Sequence, residues 1–145
     1  MRLRQVVLTL PLFVVPAALS QQQFTVKALD ARNGHPLKNV RIDIWFGERA
    51  SGVPRQSTTG PDGTTIFTVP EGERAFVTSG EFIADCRGGN VAGKSYIDRN
   101  VYSVDEVLTT GTVGKNQCGK ATAQPIRGTF TFFLRPFHWW EKLHD

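Results

Sequence analysis

The chain has 145 residues, 40% of them hydrophobic, with 17 basic against 13 acidic side chains. That length suits one domain with a core of its own. The charges are dispersed, with no run of four of one sign, which argues against a nucleic-acid partner or steering toward an acidic surface.

The first twenty residues read as an export signal. Arg2 and Arg4 form a positive start, and an apolar stretch, Val6 to Leu19, follows, broken by Pro11 and Pro16. Ala18 and Ser20 are small residues at the positions that signal peptidase reads, so cleavage is expected before Gln21. The apolar run falls short of the roughly 20 residues that cross a bilayer. No cysteine follows the cleavage point, which argues against a lipid anchor. The expectation is a signal peptide over 1–20 and one domain over 21–145, secreted or periplasmic. Removing 1–20 leaves 15 basic against 13 acidic side chains.

Strand-like alternation recurs from there on. Phe24, Val26 and Ala28 alternate with Thr25, Lys27 and Leu29, and Asn33-Gly34 with Pro36 then makes a turn. Val40, Ile42, Ile44 and Phe46 alternate with Arg41, Asp43 and Trp45 in the clearest strand of the chain. Residues 47–63 read as loop and end in the turn "GPDG". "TTIFTVP" is the next strand, with Ile66 and Phe67 as core candidates. Ala75 to Val77, Glu81 to Cys86 and Tyr96 to Val101 read as further short strands. "SVDEVLTTG" departs from this pattern: Ser103 with Glu106 three residues on spells a capping box, and Val104, Val107 and Leu108 keep helical spacing. A short helix near 103–110, ended by Gly111, is predicted. After an irregular polar stretch over 112–127, "TFTFFLR" places Phe130, Phe132 and Leu134 on one face of a last strand. Six or seven short strands indicate an all-β sandwich.

Cys86 and Cys118 are the two cysteines, and an even count in an oxidising compartment reads first as a disulfide. Closing that loop stabilises by roughly 3–4 kcal/mol on the chain-entropy account. Free thiols or half a metal site are the competing readings, although the spacing fits no zinc or redox motif.

The pattern "FTVKALDARNGHPLKNVRIDIW" followed by "TGPDGTTIFTVP" resembles the carboxypeptidase-regulatory-like domain. Asp30, Gly34, Pro36, Leu37, Asn39 and Val40, then Thr59, Asp62, Gly63 and Phe67, carry the likeness over about residues 24–70. The rest, including both cysteines and "FFLRPFHWWEKL", is similar to small exported bacterial proteins that carry this domain alone. The resemblance implies a transthyretin-like, seven-stranded Greek-key β-sandwich and an accessory or binding role. The hydroxyisourate hydrolases share that fold, but their C-terminal Tyr-Arg-Gly-Ser and first-strand histidine are lacking here.

Other constellations are weaker. "GKNQCGK" outlines a phosphate loop, but Ala121 stands where the motif needs Ser or Thr, and no strand-then-helix frame surrounds it. His35, His138 and His144 are too scattered to specify a metal site. Asp105 and Glu106 are adjacent on the helix and do not face one another. No G-x-S-x-G elbow occurs. The tail, Phe137, His138, Trp139 and Trp140, has three readings: a lid folded onto the sandwich, an exposed binding platform, or a membrane-surface contact. Trp45 points away from Ile42 and Ile44, and it is either exposed or a seat for those tail aromatics. The reading that results is an exported, non-catalytic binding or accessory module. Its partner is an envelope protein or a polysaccharide, it has no cofactor, and its candidate binding residues are Trp45, Phe137, His138, Trp139 and Trp140. The alternative is a small hydrolase or metal-binding protein using the tail histidines.

Overall fold

A computed structural model describes residues 21–80, 83–86 and 101–136. Strands β1 (Gln23–Asp30), β4 (Thr64–Thr68), β6 (Ile83–Asp85), β8 (Thr112–Val113) and β9 (Thr129–Pro136) form one sheet. Strands β2 (Arg41–Phe46), β3 (Arg55–Thr58), β5 (Ala75–Gly80) and β7 (Tyr102–Ser103) form the second. The orders are β4-β1-β9-β6, with β8 also on β9, and β3-β2-β5-β7. β1 and β9 run parallel at the middle of the first sheet, from Thr25 beside Thr129 to Asp30 beside Leu134.

The alternation predicted in β1, β2 and β9 sets the core. Phe24, Val26, Ala28, Phe130, Phe132 and Leu134 from one sheet meet Val40, Ile42, Ile44 and Phe76 from the other, all buried. Aromatic rings join the layers: Phe24 lies 4.9 Å from Phe76, and Phe76 lies edge-on to Phe130 at 5.3 Å between centroids. Such pairs add about 0.5–1.5 kcal/mol beyond their buried area. Thr78, also inside, donates its hydroxyl proton to the Asp43 carbonyl at 3.1 Å, so its burial leaves no lost hydrogen bond.

The helix α1 (Val104–Thr109) forms where the capping spelling predicts. The Ser103 hydroxyl accepts from the Glu106 N–H, and Gly111, at φ 82°, bonds the Glu106 and Val107 carbonyls to end it. Val104 and Val107 are fully buried and join the main core.

Two expectations are corrected. Residues 47–63 are not all loop, since Arg55–Thr58 pair with β2 as an edge strand. Its four residues are almost all exposed, so no apolar alternation marks it. Ile66 is not core: Phe67 is 4% exposed and Ile66 is 62% exposed. Adjacent strand residues face opposite sides, and Phe67 takes the inward one. Val101 is irregular and exposed, while the rest of the proposed strand over 96–101 lies outside the described residues.

A second, smaller core lies on the outer face of the first sheet. Leu29, Ala31, Cys86 and Phe133 are buried there, with Val113, Cys118, Ala121 and Ala123 packed against them. The Cys86–Cys118 disulfide fastens this strap of chain. Asn116 donates its amide to the Ala31 and Ala121 carbonyls at 2.8 and 2.9 Å, and the Ala121 N–H returns to Ala31. Gly119 sits so close to the Ala31 carbonyl that a Cβ has no room. The G-x-x-x-x-G-K outline is therefore a pinned covering segment.

Phe76 and Ile66 give opposite expected outcomes in urea unfolding. Phe76→Ala should cost about 3–5 kcal/mol, as truncation of a buried aromatic does. Ile66→Ala should change stability by no more than about 0.5 kcal/mol.

Candidate functional site

Several polar residues that the sequence brings forward turn out to hold the backbone. The Thr59 hydroxyl donates to the Leu37 carbonyl at 2.6 Å and accepts from the Val40 N–H at 3.0 Å. Asn39 adopts φ 59°, a left-handed value that asparagine tolerates, and its N–H reaches the Thr59 carbonyl. Gly63, at φ 74°, lets the "GPDG" turn press on Ala28, Pro36 and Leu37, where a Cβ would lie within about 3 Å of each. Asp62 accepts the Thr64 N–H and hydroxyl, and these bonds hold its carboxyl below the usual range.

Asp30 is likewise structural. Its carboxylate accepts the Arg32 N–H at 2.9 Å and the guanidinium at 3.0 and 2.6 Å. The guanidinium hydrogen bonds are the main reason its carboxyl titrates below the ordinary value. Its backbone N–H also donates to the His35 carbonyl, closing the turn. His35 is exposed there, and no cluster of three or more His, Cys, Asp or Glu side chains arises among the described residues. Asp105 pairs with Arg74 at 3.4 Å on an exposed surface, where such a pair is worth little.

Among the described residues, an open surface lies at the corner where β3 and β4, one edge strand from each sheet, meet. Ser57 and Thr65 share a hydroxyl–hydroxyl bond across it. Arg55 donates to the Thr68 carbonyl at 2.9 Å and stands 5.6 Å over the Phe46 ring. A cleft beside it is lined by Gln21, Gln22, Arg55, Thr68, Val69, Pro70, Glu71 and Gly72. Trp45 lies on the outward side of β2, half-buried, with its indole N–H bonded to the Gly52 carbonyl at 3.2 Å. In the same β2–β3 connection Val53 is 95% exposed.

The β4 edge itself is mostly blocked. Hydrogen-bonded and non-bonded pairs alternate along an antiparallel ladder. Val69 N–H reaches the Gln22 carbonyl, and Ala28 N–H reaches that of Gly63. The peptide groups of residues 63, 65, 67 and 69 therefore face β1, and those of 64, 66 and 68 face outward. The Thr64 N–H is taken by Asp62 and its carbonyl by the Gly60 N–H. Arg55 takes the Thr68 carbonyl. Ile66 alone presents both its N–H and C=O to the edge, beneath its own exposed side chain.

Of the sequence-level site residues, Cys86 and Cys118 are joined as expected, and Trp45 faces outward as its register requires, opposite Val77 on β5. Phe137, His138, Trp139, Trp140 and His144 lie outside the described residues. Sequence reasoning passed over Arg55, Val53 and the Ile66 edge. The signal for Ile66 was present, since Thr64 to Thr68 cannot turn both Ile66 and Phe67 inward. No helix among the described residues is long and apolar enough to cross a membrane. Comparison with known protein families, curated proteins and solved structures finds no match.

The Asp30–Arg32 pair yields a pH dependence. A carboxyl held below its unfolded value stabilises the fold above that value, and the contribution is lost as pH falls through the folded one. Asp30→Asn should be less stable than the parent at neutral pH. The gap should close as urea titrations move below 3.8, the ordinary value.

Proposed function

We propose that this is an exported, non-catalytic binding module of the carboxypeptidase-regulatory-like type, and that it takes a protein partner at the β3–β4 corner. The supporting observation is the edge at Ile66. A bare apolar side chain sits there over a peptide group with no partner among the described residues, with Val53 exposed in the neighbouring connection and Arg55 bridging the strands. An extended segment of a partner can add to such an edge, gaining main-chain bonds at Ile66 and apolar contact with its side chain. The Thr59, Asn39, Leu37 and Gly63 network supports the family reading, because the residues that carry the resemblance converge on one turn. The disulfide and the signal-like first twenty residues support export, with the mature chain beginning at Gln21.

Polysaccharide is the second reading. The half-buried ring of Trp45, on the outward side of β2, favours it, since aromatic faces stack on sugars. Among the described residues no nucleophile–base arrangement stands at the corner, and the tail histidines of the hydrolase or metal-binding alternative lie outside them.

A photo-reactive side chain in place of Ile66, in cells that export the protein, separates these readings. An adduct of defined mass, lost when Val53→Asp is added, is the expected result. Cross-linking that is equal at Ile66 and at Glu106, exposed on the helix beside β7 at the opposite edge of the second sheet, would contradict the corner as the docking place.

A further inference from the structure

Three glutamines open the domain, and the structure treats them differently. Gln22 gives its carbonyl to the Val69 N–H at 2.8 Å. Gln23 begins β1 and donates its side-chain amide to the Thr68 hydroxyl at 3.3 Å. Gln21 precedes the strand, is exposed, and has no hydrogen-bond partner among the described residues. It lies at the mouth of the cleft lined by Arg55 and Glu71.

We infer that Gln21 is a modification site: once freed as the first residue, it closes on itself to a pyroglutamyl end. The inference rests on the export reading, which makes Gln21 the new terminus. The α-amine nitrogen attacks the side-chain Cδ of the same residue. The N–Cδ bond forms, the Cδ–Nε2 bond breaks, and Nε2 leaves as ammonia carrying a proton from the amine. No oxidant, reductant or second substrate enters. The ring needs only the two ends of one residue, and Gln21 is held by no hydrogen bond among the described residues. Gln22 and Gln23 anchor the chain immediately behind it, so closure disturbs no bond of β1. The product is a neutral lactam at the cleft mouth. It removes the terminal ammonium, and leaves Arg55 and Glu71 as the charged side chains lining that cleft. It also denies the chain end to aminopeptidases.

The test uses the full chain with its leader, exported by cells and purified from outside the cytoplasm. Intact mass and amino-terminal sequencing are read before and after prolonged incubation at neutral pH. The expected result is the mass of residues 21–145 with the disulfide, less one ammonia, and no residue released by sequencing. The Gln21→Ser variant should instead give a free amine and a readable sequence. Parent protein that starts at Gln21 and keeps a free amine through the incubation overturns the cyclisation and leaves the export reading standing. A first residue other than Gln21 overturns both the modification and the cleavage point.

Discussion

The fold depends on one pair of strands being buried on both faces. β1 and β9 run parallel at the centre of the first sheet, and parallel pairs occur where both sides are covered. The second sheet covers the inner side, against Phe24, Val26, Phe130, Phe132 and Leu134. On the outer side Leu29 is 6% and Phe133 2% exposed, because the strap around Cys118, together with Val113 of β8, covers them. Its seat is made by backbone rather than bulk: Asn116 and Ala121 share the Ala31 carbonyl, and Gly119 rests against it. The disulfide keeps that segment close in the unfolded chain, and the hydrogen bonds set its register.

That division of labour decides which of the described surfaces stay unoccupied. The polar residues of the turn pattern over 24–70 are consumed in holding turns. Asp30, Asn39, Thr59 and Asp62 all have their partners in the backbone or in an adjacent side chain. The outer face of the first sheet is partly occupied by the strap. The β3–β4 corner is left, and along β4 Asp62 and Gly60 occupy the Thr64 peptide group and Arg55 the Thr68 carbonyl, while Ile66 offers both its N–H and C=O. Guarded edges keep a sandwich from pairing with copies of itself indiscriminately. A single open residue between two guards favours a specific partner over open-ended pairing.

Much of this was legible in the residues. Ser103 and Glu106 announced the helix, because a capping hydroxyl has few other uses before an apolar pattern. β1, β2 and β9 followed from period-two alternation, and the cysteine count gave the disulfide. β3 was not legible: Arg55, Gln56, Ser57 and Thr58 bury almost nothing, and their order comes from pairing with β2 and from the Ser57–Thr65 contact. Ile66 was misassigned because hydrophobicity alone does not say which of two neighbours turns inward. The strap was illegible for a different reason. Its contacts are hydrogen bonds to main-chain carbonyls, a few small apolar side chains and a glycine seat, which leave no hydrophobic periodicity.

The central claim is that the strap is seated by close backbone approach and completes the burial of β1 and β9. Urea unfolding of Gly119→Val, with the disulfide intact, tests it most directly. Gly119 is exposed, so an ordinary surface site there would shift stability by no more than about 0.5 kcal/mol. The account predicts a loss of about 2 kcal/mol or more, because the added side chain must push the strap off the Ala31 carbonyl. A variant as stable as the parent would contradict it.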